Sequence, residues 1–272
     1  MISIIIPTYK RLEMLKCCLD CLSYSVQGLA KGIYEIIVSD DSPDDTTKVM
    51  LENFYPEVQY NKGPKKGPAA NRNSGAAFSQ NEWIMFIDDD CIPDKNLVKN
   101  YIKAIEKNLD VKAFEGAIKA DRPQRHFLEE SPINLNGGHM WSCNILIQRD
   151  FFLSINGFDE DFPFAAMEDV DLHTRILKLK EKVIFVKDAI VIHPWRMQHD
   201  IAKMLKKRAV SREFFYKKHP ELPLPDTSIK AYLSFYASTI LKNFIAFRGR
   251  GAFKLIRAKH VALKHLRESL KN

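Results

Sequence analysis

Three adjacent carboxylates, Asp88-Asp89-Asp90, follow the apolar run Trp83–Ile87. Like charges this close repel one another unless a cation or a set of donors intervenes. A hard divalent cation with oxygen ligands answers that need, and Mg²⁺ is commonly held by one or two carboxylates together with substrate phosphates. If the acids continue the strand, Asp88 and Asp90 project to one face, which makes D-x-D the natural chelating unit. Standing alone, the cluster reads better as a solvated loop or a helix N-cap.

Three further groups accompany it. Asp40-Asp41 and Asp44-Asp45 follow the apolar run Tyr34–Val38, where a carboxylate could accept from a base or a ribose hydroxyl. Ser42-Pro43-Asp44-Asp45-Thr46 is also good turn and helix-start chemistry, which claims Asp44 and Asp45 more readily than Asp41. Between Gly67 and Gly75, small residues open a helix with Arg72 one turn in. A helix N-terminus carrying an Arg suits a phosphate, and a plain surface arginine is the alternative. Last, Glu168-Asp169 precede an apolar helix and follow Phe162-Pro163-Phe164. An apolar setting raises a carboxylate's pKa and improves it as a base, while the helix dipole opposes the shift.

The elements that position these residues alternate. Ile2–Pro7, Tyr34–Val38, Trp83–Ile87 and Ala113–Ile118 read as buried strands, and Val58–Tyr60 as a short one. Leu12–Leu22, Thr46–Phe54, Pro68–Ser79 and Asn96–Glu106 read as helices between them. This alternation predicts βαβ units and a mostly parallel sheet, whose strand ends are where ligands bind. Beyond residue 120 the pattern loosens. Asp121–Gly138 reads as a long loop, Trp141–Gln148 as a strand, Val170–Leu179 as a helix, and Val183–Val186 and Ala189–Ile192 as strands before His193-Pro194-Trp195.

Taken in order, six pieces resemble the inverting glycosyltransferases of family 2, with the GT-A fold. They are Ile6-Pro-Thr-Tyr9, Val38-Ser-Asp-Asp-Ser42, Ala70-Asn-Arg72-Asn-Ser-Gly75, Phe86-Ile-Asp-Asp-Asp90, Asn156-Gly-Phe-Asp159-Glu and Glu168-Asp169-Val-Asp171-Leu. The resemblance covers roughly residues 1–195. It implies a Rossmann-like, mostly parallel α/β sheet flanked by helices. The implied reaction is metal-dependent transfer from a nucleotide-sugar, with a UDP-sugar as the expected donor, to an acceptor hydroxyl in surface polysaccharide or glycolipid assembly. Pro7, Tyr9 and Asp41 would line the base pocket and Arg72 would approach the diphosphate. Asp88 and Asp89 would join the nucleotide site. Asp90 would hold Mn²⁺ or Mg²⁺, with His193 as a further ligand, and Asp169 would be the general base. The Gln-x-x-Arg-Trp motif of processive synthases is missing, which argues against a polymerising enzyme. A non-catalytic sugar-nucleotide-binding subunit is a competing class. A nucleotidyltransferase is another, although Pro7-Thr-Tyr-Lys-Arg11 lacks the glycines of its usual phosphate loop.

Composition sets the frame. The chain has 272 residues, 46% hydrophobic and 28% charged, which excludes wholesale disorder, collagen-like repeats and a small disulfide-stapled fold. Five cysteines and an N-terminus without a basic leader point to reduced thiols and a cytosolic setting. Cys18-x-x-Cys21 sits in a helical stretch and has no second Cys or His pair to make a zinc site. The net charge of +7 is unevenly shared. Residues 196–272 hold 18 Lys and Arg against 5 Asp and Glu, and residues 1–195 hold 23 against 29. The expected division is therefore a catalytic domain over 1–195 and a basic helical extension over 196–272. In that extension Asp200–His219, Ser228–Phe247 and Phe253–Leu270 read as helices. Aromatic and aliphatic residues beside clustered cations, across 228–272, fit a helix on an anionic membrane surface, here the inner face of the plasma membrane, near a glycan or lipid-linked acceptor. A solvated basic face on a packed appendage is the alternative. No nucleic-acid-binding motif is present, so no nucleic-acid partner is expected.

Overall fold

The β-branched N-terminal run forms strand β1 (Ile2–Thr8), and each of its residues is buried. Burial on both faces is what a continuous apolar strand requires. The computed structural model describes residues 1–226 and 228–269, so the end of the expected helix at Leu270 lies outside the described residues. After β1 come α1 (Leu12–Leu22), α2 (Tyr24–Gln27), β2 (Tyr34–Asp40), α3 (Thr46–Phe54), β3 (Gln59–Lys62) and α4 (Pro68–Phe78). Then follow β4 (Trp83–Phe86), β5 (Ile92–Pro93), α5 (Leu97–Lys107), β6 (Ala113–Lys119), β7 (Glu129–Glu130) and β8 (Ile145–Gln148). The remaining elements are α6 (Arg149–Ser154), α7 (Glu168–Lys178), β9 (Val183–Ile192), β10 (Arg196–Met197), α8 (Ile201–Lys218), α9 (Ile229–Phe235) and α10 (Ala252–Ser269).

Eight strands form one sheet in the order β3-β2-β1-β4-β8-β6-β9-β5. β3, β2, β1 and β4 run parallel, as do β6 and β9. β8 is antiparallel to both β4 and β6, and β5 is antiparallel to β9. This is the mostly parallel α/β sheet that the alternation predicts. The strand period sorts its core: Ile2, Ile4 and Ile6 belong to one apolar cluster with Leu19, Tyr34 and Trp83, while Ile5 belongs to a second with Ile37, Phe86 and Phe152.

The chain divides into two compact units. The first takes Met1–Asp121, Pro132–Glu160 and Glu168–Pro194, and contains the whole eight-stranded sheet. The second takes Arg122–Ser131, Asp161–Met167 and the segment from Trp195. In it α8 and α10 pack on each other, β7 pairs antiparallel with β10, and Phe127, Ile240, Phe247 and Ala252 cluster. Asp200 starts α8 by accepting from the Lys203 N–H, an N-cap bond.

Several local expectations need correction. β4 stops at Phe86, one residue early, and the chain turns at once through a Cys91 N–H to Asp88 carbonyl bond. The three acids therefore lie in a turn, where strand alternation does not govern them. Trp141–Asn144 also turns, leaving only Ile145–Gln148 as strand. Asn144 explains this, because its side-chain amide donates to Ala117 O and Ala189 O, two carbonyls of neighbouring strands. The two expected strands at 183–192 are one, with a register shift opposite Gly116/Ala117. The helix expected over 228–247 stays α-helical only to Phe235, then widens into a π-helical turn at Tyr236–Leu241.

Candidate active site

Parallel β1, β2 and β4 bring their C-terminal ends side by side, and three of the singled-out groups follow those ends. Pro7 is buried in β1 opposite Ser39. Tyr9 follows it and is 56% exposed, with the Lys10 ammonium 5.6 Å from its ring. Asp41 is buried, and its carboxylate accepts from the N–H groups of Lys65 (2.8 Å) and Gly67 (3.2 Å). It thereby holds the loop that leads into α4. A Cβ on Gly63 would sit 2.2 Å from Asp41 Oδ1, so this approach requires glycine.

The Asp88-Asp89-Asp90 repulsion is relieved by two arginines, Arg72 at Asp88 and Arg11 shared by Asp89 and Asp90. Asp88 Oδ1 accepts from Arg72 Nη2 at 2.7 Å. Asp89 accepts from Thr8 Oγ1 at 2.8 Å and Arg11 Nη1 at 3.0 Å. Burial pushes the Asp89 carboxyl up, against the pull of Arg11 and Thr8. Asp90 is buried, with Arg11 Nη1 3.6 Å from Oδ2 and His193 Nε2 3.5 Å from Oδ1.

His193 lies at the end of β9 and is buried. Its Nδ1 stands 3.1 Å from the Pro194 carbonyl, which can only accept. Nδ1 therefore carries a proton, and Nε2 is the ring nitrogen that faces Asp90. Ligand atoms of Asp90, Cys91 and His193 lie within 4.8 Å of one another. Burial raises the Cys91 thiol far above its ordinary value, so it stays a neutral thiol, a poor ligand for a hard cation. The Asp90 carboxylate and the His193 Nε2 are the oxygen and nitrogen donors here that could hold Mn²⁺ or Mg²⁺.

Arg72 ties these groups to α7. It is 5% exposed, bonds Asp88 through Nη2 and stands 3.6 Å from Glu168 Oε1 through Nη1. Burial works to lower its pKa, but Asp88 and Glu168 more than offset this, so the guanidinium stays charged. Glu168 and Asp169 open α7. Asp169 Oδ1 accepts from the Val170 N–H at 2.8 Å, and the Ser142 N–H also approaches the carboxylate. Desolvation raises the Asp169 pKa despite Arg72 and these N–H groups. The apolar residues expected to do this, Phe162 and Phe164, belong to the second unit, where Phe162 packs on Phe214 and Phe164 lies under Lys207.

Sequence reasoning overlooked a set of buried amides and carboxylates that lock the loops. Asn71 donates to Ser39 O at 2.8 Å and so fixes α4 against the end of β2. Asn73 exchanges two bonds with the main chain of Phe158, and Arg175 donates to Ile155 O and Gly157 O, which together explain the Asn156-Gly-Phe158 turn. Glu115 on β6 accepts from the N–H groups of Gly138, His139 and Met140 and from Asn134. Burial would raise its pKa, but these donors outweigh it and hold the carboxyl below its ordinary value. The paired Asn of the Asn71-Arg72-Asn73 motif was the available signal. Glu115 offered none, because one acid in an apolar strand has no distinguishing spacing.

A family model for glycosyl transferase family 2 matches residues 3–166. The chain belongs to that family. The mannosyltransferase of Pyrobaculum calidifontis, solved with GDP-Man and Mn²⁺, superposes with a TM-score of 0.64 at 16% identity, covering 99% of this chain and 85% of that one. The S. aureus TarS fragment 1–349, solved with UDP, gives 0.56 at 20% identity, covering 89% and 74%. The GT-A fold is thus shared. A Campylobacter jejuni GalNAc(5)-diNAcBac-PP-undecaprenol beta-1,3-glucosyltransferase is 34% identical over 94 residues, 33% of this chain and 29% of that protein. This chain spans 62%, 29% and 51% of the length of the first curated relatives it matches.

Glu168 gives the site a measurable signature. Burial pushes its carboxyl up to about 7, with the Asp169 charge adding to the shift and Arg72 opposing it. The folded chain therefore holds a proton that the unfolded chain releases. The associated stability is full below the ordinary Glu value and is lost as pH rises through about 7. Thermal midpoints of wild type and Glu168→Gln should diverge accordingly. The variant-minus-wild-type difference should grow more positive by a few degrees between pH 4.5 and pH 8, and a difference that does not change with pH would contradict the assignment.

Proposed function

We propose that this chain transfers a sugar from a nucleotide-sugar, a UDP-sugar in the first instance, to an acceptor hydroxyl with inversion at the anomeric carbon. The observation that carries this reading is the placement of a half-buried carboxylate of raised pKa, Asp169, on the same guanidinium-linked frame as the acids that follow β4. Family membership supports it, as do the nucleotide and nucleotide-sugar complexes of the two structural neighbours.

In this mechanism Tyr9 packs its exposed ring on the base, and Pro7 and Asp41 shape the pocket floor behind it. Asp88 and Asp89 keep the turn before Asp90 in place through Arg72, Thr8 and Arg11. Asp90 and His193 would hold the divalent cation, which when bound supplies positive charge against the departing diphosphate. Arg72 Nε and Nη1 make no hydrogen bond among the described residues, which leaves two buried donors of the same sign beside that charge. The Asp169 carboxylate takes the proton of the acceptor hydroxyl as its oxygen attacks C1. The C1–O bond breaks, its electron pair leaves with the diphosphate, and configuration inverts in one displacement without a covalent enzyme intermediate. A carboxyl of raised pKa is the better base for this step, because proton affinity and ionisation are then both favourable near neutral pH. In line with the acceptor named for the Campylobacter relative, a lipid-linked glycan is the acceptor class we favour.

The second unit supports a peripheral position at the inner face of the plasma membrane. Among the described residues no helix is long and apolar enough to cross a membrane. Ile245 is 90% exposed and Phe253 77%, and Leu241 and Phe244 are exposed with them. Exposed Lys242, Arg248, Arg250 and Lys254 lie among these residues in the chain. Large apolar side chains and cations together are the make-up of a surface that inserts shallowly into anionic lipid.

Two experiments check this. Asp169→Asn should keep UDP binding in the presence of Mn²⁺ and lose transfer by at least about a hundredfold, the scale of general-base catalysis; near-normal turnover would remove Asp169 from that role. The protein should sediment with anionic vesicles at low salt and less so as salt rises, since exposed charges are screened. No sedimentation at low salt would overturn the membrane reading.

A further inference from the structure

The second unit contains a cavity that the transfer reaction does not use. Its volume is about 320 Å³, within the range of small-molecule sites. Phe127, Phe247, Leu205, Leu255, Leu263 and Leu266 supply apolar wall. Its cations come from Arg208 and Arg212 of α8 and Lys259 of α10. Glu129 and Glu130 also line it, but Glu129 is held by Arg122 at 2.6 Å, and Glu130 by Arg208 at 2.9 Å. Among the described residues no carboxylate comes within ion-pair distance of Arg212 or Lys259. The Lys259 ammonium lies 5.2 Å from the Phe235 ring, so its stem and charge both face the lining.

The electrostatics of the cavity point the same way. Burial, with Arg212 and Arg208 adding, pushes the Lys259 pKa below its ordinary value, and Glu130 compensates only in part. The cations are thus crowded and partly desolvated beside an apolar wall. An anion carrying a hydrocarbon chain relieves both conditions at once: its charge neutralises Arg212 and Lys259, and its chain fills the space against the phenylalanines and leucines. A free anion leaves the apolar wall wetted, and a neutral chain leaves the cations unrelieved.

We propose that this cavity binds a long-chain phosphate monoester, with the phosphate on Arg212 and Lys259 and the first part of the chain among Phe127, Phe247 and Leu266. The site goes beyond the donor chemistry and stands on residues of the second unit alone. It gives the chain a specific contact with one phospholipid-like molecule, distinct from general attraction to a charged membrane.

The test is calorimetric titration of the full chain with farnesyl phosphate below its aggregation concentration, without nucleotide or metal. Farnesol and inorganic phosphate are titrated in parallel. Farnesyl phosphate should bind one to one, and each of the other two at least tenfold more weakly. Arg212→Glu should weaken farnesyl phosphate at least tenfold. Ala262→Phe, which adds a ring to the cavity lining, should do the same. If Ala262→Phe does not fold, Lys259→Glu takes its place with the same expectation. Equal binding of farnesol would reduce the cavity to an apolar cleft, and equal binding of phosphate would reduce it to an anion patch. Farnesyl phosphate affinity unchanged in the variants would place its site elsewhere. Each of these results overturns the proposal. Because no donor is present, a failure here leaves the glycosyl-transfer reading untouched, and a failure of transfer leaves this site standing.

Discussion

One buried guanidinium holds the site together. Arg72, on the first turns of α4, reaches Asp88 at the end of the central strands and Glu168 at the start of α7. An arginine this buried is tolerable only if it is paired, and removing either partner leaves an uncompensated charge in a poorly solvated place. The pairing therefore fixes more than its own energy. It sets where the turn after β4 stands relative to Asp169. Burial keeps the carboxyls of Glu168 and Asp169 above their ordinary values, with the Asp169 charge adding at Glu168, and the single Arg72 charge offsets this only in part.

Around that centre, loop shape is held by side chains that replace water with fixed donors and acceptors. Asp41 accepts two main-chain N–H groups, Glu115 three, and Asn73 both gives and takes at Phe158. Buried polar groups that are fully satisfied specify one conformation, whereas partly satisfied ones are costly. The apolar clusters on either face of the sheet supply cohesion, and the polar ties supply position.

Much of the sheet was legible because its central strands are mostly buried and so read as short, largely apolar runs. Ile2–Thr8, Tyr34–Asp40 and Ala113–Lys119 each lie within a residue or two of expectation. In α4 the helix itself was legible from Gly67-Pro68 and the small residues that open it, while a surface position remained open for Arg72 until its burial against Asp88 was seen. What could not be read were partners far apart in the chain. Asp89 is taken up by Arg11, 78 residues away, and no local pattern announces that pairing. The turn at Asp88–Cys91 was hidden because the apolar run ahead of it continues one residue past the last strand position. Phe162 packs on Phe214 within the second unit, a long-range contact that no local pattern announces.

The proposed role of Asp90 and His193 is to complete a nucleotide site with a divalent cation. Calorimetric titration of UDP into the chain, with Mn²⁺ and then with chelator, in wild type and Asp90→Ala, tests it most directly. Binding should need Mn²⁺ in wild type and fall at least tenfold in the variant. Equal affinity in all four titrations would contradict it.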